Sequence, residues 1–255
     1  YIYISDIDHP EKAYTVLEKQ GFWVATDWSP DDTKLLVLNY ISSTESYYHI
    51  LDLKTKELTQ INPSKESISY GGAIFSKDGK GIYLTCDKDT EFQELWYYDL
   101  KSEKMKSLTS HIKWDINDFT LSDDGKHLAF IVNDDAISKF HLLDLKKNKE
   151  VILPELPVGQ VYGISFSPDN KKLSLVLNIA TSPGDVYIYN LESNKLVRWT
   201  ESEVGGLNTA NFVMPELIHY PTFDKVDGKV RQIPAFVYKP KNVNGPLPVL
   251  ISIHG

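Results

Sequence analysis

The chain has 255 residues, 42% of them hydrophobic and 12% aromatic, with 14 glycines and 13 prolines; it is too apolar for a disordered chain and too poor in Gly and Pro for a low-complexity one. Its 35 acidic residues outnumber its 27 basic ones, and the formal charge of −8 argues against binding a nucleic-acid backbone. The single cysteine, Cys86, excludes an internal disulfide framework and a cysteine-rich zinc site, and no apolar run approaches the about 20 residues of a membrane span.

The first element is the strand YIYISDI, and its Asp6 begins a series of evenly placed marks. The series continues with Asp52 in YYHILDL, Asp99 in LWYYDL, Asp144 in FHLLDL and Asn190 in VYIYNL, at steps of 46, 47, 45 and 46. A second series interleaves with it: WSPDDTKLLVL, FSKDGKGIYLT, LSDDGKHLAFI and FSPDNKKLSLVL, whose Ser29, Ser76, Ser122 and Ser167 step by 47, 46 and 45. Each unit reads as four short strands. The first ends at the Ser-x-Asp turn and the second follows it; the third is the aromatic run before the Asp mark, and the fourth closes on Leu-Thr or similar, as at Met105 to Thr109. Asp78-Gly79, Asp124-Gly125 and Asp169-Asn170 supply residues that tolerate positive φ in tight turns. Trp28, Phe75, Leu121 and Phe166 precede the turns and are expected to be buried on an inner strand, with Trp28 and the other tryptophans filling the space between units.

A four-stranded unit of about 40–45 residues is the period of a β-propeller blade, which buries its two faces against its neighbours. A plain antiparallel sandwich would leave the constant step accidental. The register places half a blade at residues 1–20 and whole blades at 21–62, 69–110, 113–154 and 159–200. A closed ring of seven blades needs about 320 residues, so the sequence reads as a piece, with about three blades upstream.

One further step reaches Phe212, where no Ser-x-Asp turn occurs. Residues 201–216 read as a linker. Leu217 to Phe223 and Gln232 to Tyr238 read as a hairpin turned by Asp227-Gly228, followed by a loop with Pro240, Pro246 and Pro248. The unbroken apolar run Val249 to Ile253 then suits a strand buried on both faces of a helix-covered sheet, and it leads into His254-Gly255. The expected architecture is thus all-β, an incomplete propeller of about four and a half four-stranded blades, followed at 217–255 by the first strands of an α/β-hydrolase domain.

The stretch MPELIHYPTFD…IPAFVYKP…PLPVLISIHG resembles the passage from propeller to catalytic domain in the prolyl oligopeptidase family of serine peptidases, especially its acylaminoacyl-peptidase-like members. CDKDTEFQELWYYDL resembles that family's blades, and the resemblance covers nearly the whole chain. It implies a downstream Ser, Asp and His, a substrate of short peptides, a propeller that restricts entry to the active site by size, and a cytoplasmic location; a homo-oligomer is compatible with it. It also implies that His254 and Gly255 belong to a His-Gly-Gly loop near the oxyanion hole, supporting the loop rather than acting as acid or base. The chain contains no Gly-x-Ser-x-Gly and so no catalytic residue of its own, and is expected to be inactive as given.

The remaining candidates favour ordinary structural roles. The other histidines are scattered without His-x-His or His-Glu-x-x-His spacing, so no metal is expected. Asp87, Asp89 and Glu91 read as a solvated loop between second and third strands rather than a site for a cation or an amine. Gly71-Gly72 and Gly205-Gly206 lack the spacing of a nucleotide loop, so no cofactor is expected. The rival reading is a non-catalytic TolB-like propeller that binds a protein partner, and a third keeps the hydrolase fold with ester substrates.

Overall fold

The computed structural model describes residues 1–226 and 228–253. Among them there is no α-helix; the chain runs through antiparallel strands and two short 3₁₀ turns. β1 (Ile2–Ile4) and β2 (Tyr14–Leu17) form a two-stranded sheet. Four four-stranded meanders follow. Blade 1 is β3 (Phe22–Trp28), β4 (Lys34–Ser42), β5 (Glu45–Asp52) and β6 (Leu58–Gln60). Blade 2 is β7 (Tyr70–Phe75), β8 (Gly81–Cys86), β9 (Glu94–Asp99) and β10 (Lys104–Ser107). Blade 3 is β11 (Ile116–Leu121), β12 (His127–Asp134), β13 (Ile137–Asp144) and β14 (Lys149–Glu150). Blade 4 is β15 (Gln160–Phe166), β16 (Lys172–Ile179), β17 (Ser182–Asn190) and β18 (Lys195–Arg198). A separate hairpin, β19 (Glu216–Val226) and β20 (Lys229–Val237), ends the ordered pairing.

Alternation along each strand explains why these sheets stack. On β8, Ile82, Leu84 and Cys86 face blade 1 and join Leu36, Tyr48 and Phe75. Tyr83, between them, faces blade 3 with Leu121, Leu128 and Phe130. On β12, Leu128, Phe130 and Val132 face back to blade 2, while Ala129 and Ile131 face Leu173, Leu175 and Tyr189 of blade 4. Ile2, Val16 and Leu17 cover Leu35, Val37 and Leu51 of blade 1 in the same manner. Each apolar cluster is thus shared by two consecutive sheets, as a side-chain period of two requires when both faces are buried. The chain is an incomplete β-propeller.

The first strands of successive blades approach one another along the inside of the arc. A Cβ on Gly72 of β7 would come within 2.9 Å of the Phe119 ring of β11, so the close approach needs glycine there. Consecutive blades are also clasped by polar groups. The Val161 amide donates to Ser138 Oγ at 2.9 Å, and the Ser138 amide donates to the Gly159 carbonyl at 2.9 Å. Ser138 lies six residues before its Asp mark; Ser46 and Gln93 hold the same place in blades 1 and 2, and Gly184 holds it in blade 4. At Gly184 the chain's own continuation takes the seat: Ser202 Oγ donates to the Gly184 carbonyl at 2.9 Å and the Ser202 amide to Asp185 Oδ1 at 2.7 Å.

Two expectations are corrected. Phe75 and Leu121 are buried, but Trp28 is 45% exposed and Phe166 only half-buried. β3 has an inner strand beside it only on the β7 side among the described residues, because β1–β2 covers the outer part of blade 1. Trp96 and Trp23 do pack at blade interfaces, whereas Trp114 and Trp199 are exposed. The run Val249 to Ile253 forms no strand and is exposed. A doubly buried strand takes its ladder and both faces from neighbouring elements, and the described residues include none for it.

Candidate functional site

The two residues singled out from the sequence, His254 and Gly255, lie outside the described residues, as does Asp227 of the hairpin turn, whose Gly228 has φ +78°. What the fold does position are two concavities, one on each face of the arc.

The first face carries the Ser-x-Asp turns. In each blade the Ser hydroxyl donates to the Asp two residues on, at 2.6 Å (Ser29–Asp31), 2.7 Å (Ser76–Asp78), 2.8 Å (Ser122–Asp124) and 2.6 Å (Ser167–Asp169). It also accepts the amide five residues on, for example Lys34 N at 2.9 Å and Gly81 N at 2.9 Å. The residue after each Asp has positive φ: Asp32, Gly79, Gly125 and Asn170. Hydroxyls of Ser29 and Thr33 hold the Asp31 carboxyl at about 2, and Lys126 and Ser122 hold Asp124 at about 2. These turns are joined across blades by Lys77 to Asp123 at 3.1 Å and by the Asp123 amide to Asn170 Oδ1 at 2.7 Å.

Inside that face the first strands line a cavity of about 260 Å³. Sequence reasoning passed over the two carboxylates of these inner strands. Asp27 Oδ2 accepts the Phe75 amide at 2.7 Å and so ties blade 1 to blade 2. Burial raises its pKa, partly offset by the amides of Phe75 and Trp28. Burial likewise raises Asp118, offset in part by the Ile164 amide of blade 4. The available signal was a charged residue inside a segment otherwise reading as a buried strand.

The second face carries the turns between second and third strands, and the β19–β20 hairpin lies across it. His219 Nε2 meets Asp135 Oδ2 at 2.5 Å in the blade 3 turn, and Arg231 approaches Glu91 of the blade 2 loop at 3.8 Å. At the hairpin's base a cavity of about 250 Å³ separates Met214, Pro215, Phe236 and Tyr238 from Ile137 and Ile179 of blades 3 and 4. The acidic loop is consumed locally: Asp87 accepts the Ser69 amide at 2.8 Å, Asp89 pairs with Lys88, and Glu91 faces Arg231.

Among the described residues, neither concavity assembles a nucleophile with a base. The imidazoles with ionic partners pair with carboxylates: His219 with Asp135, His141 and His111 with Glu150, and His9 with Glu11. Among the described residues no group of three His, Cys, Asp or Glu side chains could hold a metal ion, and no helix is long and apolar enough to cross a membrane. Asp185, the most deeply buried carboxylate among the described residues, is structural. Burial would raise its pKa, but bonds from Ser182, Arg198, Ser202 and Thr200 outweigh that and hold it well below the ordinary range.

No protein-family model matches the chain, and no curated protein matches its sequence. Solved structures do. A prolyl endopeptidase superposes with a TM-score of 0.75 at 19% identity, over 92% of this chain and 34% of its own. Prolyl oligopeptidase B from Galerina marginata, solved with a 35mer hydrolysis and macrocyclization substrate, gives 0.71 at 16% identity over 89% and 33%. TolB from Acinetobacter baumannii gives 0.62 at 21% identity over 91% and 59%. The chain therefore spans about a third of the length of these peptidases and 59% of TolB, and the likeness is one of fold.

Proposed function

We propose that the chain is part of a serine peptidase of the prolyl oligopeptidase type that hydrolyses short peptides, in which residues 1–200 belong to a gating propeller and residues 217–255 open an α/β-hydrolase domain after a linker at 201–216. The supporting observation is the hairpin β19–β20. It follows the fourth blade, reaches one face of the arc, and is succeeded by an apolar run that is exposed and unpaired among the described residues. A ring that only binds a partner has no use for such a continuation. In this reading Val249 to Ile253 becomes a buried strand once the catalytic sheet surrounds it, and His254 and Gly255 begin the loop beside the oxyanion hole. The propeller contributes no reacting group; its part is to limit what reaches the catalytic domain.

The TolB likeness favours a second reading, a non-catalytic ring that binds a protein partner. Labelling the intact protein with a fluorophosphonate separates the two. Covalent labelling at a serine in a Gly-x-Ser-x-Gly elbow supports the peptidase; absence of labelling in folded protein supports the binding ring.

A further inference from the structure

We propose that the cavity inside the Ser-x-Asp face is a binding site for a free apolar α-amino acid, whose ammonium group meets Asp27 and whose carboxylate meets Lys77. The cavity is built from the middle of the chain. Asp27 comes from blade 1, Ile74 and Lys77 from blade 2, Phe119 and Asp123 from blade 3, and Phe166 from blade 4. Its volume of about 260 Å³ matches eight or nine waters at about 30 Å³ each, which is room for a molecule of about ten heavy atoms.

The walls supply three kinds of contact. Asp27 spends Oδ2 on the Phe75 amide at 2.7 Å, and among the described residues no Lys, Arg or His side chain pairs with it. Burial raises its pKa, against the opposing pull of the Phe75 and Trp28 amides and of Lys77. A carboxylate taken partly out of water without a counter-ion is costly, and a ligand ammonium supplies one. Lys77 reaches the same cavity from the turn, where it pairs with Asp123 at 3.1 Å and both side chains are exposed. Such a pair is weak, so Lys77 can exchange Asp123 for a ligand carboxylate. The remaining wall is apolar, with Ile74, Phe119 and Phe166. The Phe119 ring is seated against Gly72, where an added Cβ would lie 2.9 Å from it, so the backbone sets the position of that wall. A simple amine would meet the repulsion of Lys77, and a simple carboxylate that of Asp27. A zwitterion with an apolar side chain satisfies all three surfaces, the usual composition of a small-molecule site.

The test is isothermal titration calorimetry of L-leucine into the intact protein at pH 7. A dissociation constant of about 0.1–1 mM is expected for a ligand of this size. N-acetyl-leucine lacks the ammonium, leucinamide lacks the carboxylate and glycine lacks the side chain; each is expected to bind about tenfold more weakly or worse. Asp27→Asn keeps an acceptor for the Phe75 amide and so keeps the fold, and it is expected to weaken leucine binding about tenfold. Lys77→Gln is expected to abolish the preference for leucine over leucinamide. Lys80→Gln, on the same turn but outside the cavity, is expected to leave binding unchanged. Absence of leucine binding up to about 10 mM, equal binding of any of the three analogues, or an affinity unchanged in folded Asp27→Asn overturns the proposal.

Discussion

Ser46 and Tyr70 lock two blades with one hydroxyl. The Tyr70 amide donates to Ser46 Oγ at 2.8 Å, and that hydroxyl donates to the Tyr70 carbonyl at 3.0 Å. Both residues are buried, so nothing in solvent replaces the contact. Ser46→Ala leaves a buried amide without an acceptor and is expected to cost about 1–3 kcal/mol. Ser138→Ala, at the same place in blade 3, is expected to match it. The check is the urea midpoint at constant slope; a change within error at both sites contradicts the clasp.

The turns between third and fourth strands give a second expectation. Lys56 (φ +63°) and Glu103 (φ +57°) sit where blades 3 and 4 place Asn148 and Asn194. Asparagine tolerates that backbone better, so Lys56→Asn and Glu103→Asn should each raise stability by a few tenths to about 1 kcal/mol. Gly79→Ala should lower it by about 1 kcal/mol for strain alone, since its φ is +68° and no heavy atom lies near the added methyl. Thermal melts of the three variants test the order.

Acid is expected to loosen the turn face. Asp31, Asp52 and Asp124 lie at about 2 against an ordinary 3.8, held down by the Ser29 hydroxyl, the Thr55 amide and the Lys126 side chain respectively. A depressed pKa means stability that is present above the ordinary value and is lost as pH falls from about 4 towards 2. Asp27 and Asp118 act in the opposite sense, because burial raises them and protonation relieves their cost. Asp27→Asn keeps an acceptor for the Phe75 amide and should raise the neutral-pH midpoint, and Asp124→Asn should flatten the acid limb. Denaturation curves between pH 7 and pH 2 decide both.

Cys86 is fully buried among Tyr70, Leu84 and Tyr98, and burial pushes its thiol up to about 12. It should resist a disulfide reagent in the native state at pH 8 and react at once in denaturant. Fast native labelling would mean that the interface between blades 1 and 2 opens.

What was legible in the sequence was local chemistry. Ser29 with Asp31, or Asp99 with the amide of Ser102 at 2.7 Å, are turn contacts two or three residues long, and composition announces them. Stacking followed from the constant step between such turns. The contacts between blades were not legible, because Ser46, Ser138 and Asp27 look like any polar residue until the neighbouring strand arrives. Asp32, Lys56 and Glu103 escaped for another reason: their positive φ is imposed by the turn against their own preference. Val249 to Ile253 has the apolarity that a buried strand needs, but apolarity does not supply the neighbours, and among the described residues the run has none.

The occupied seat at Gly184 sets a rule of assembly. A duplicated blade spliced between Pro154 and Gly159 would meet the hydroxyl that Ser138 offers to any newcomer. The same blade appended after Thr200 would have to evict Ser202 and break into the charge cage that Arg198 and Asp185 build around the exit, with the guanidinium 2.6 Å from the carboxylate. The modules are alike in pattern but not interchangeable in rank, because in the fourth the seat for a following strand is already filled by Ser202.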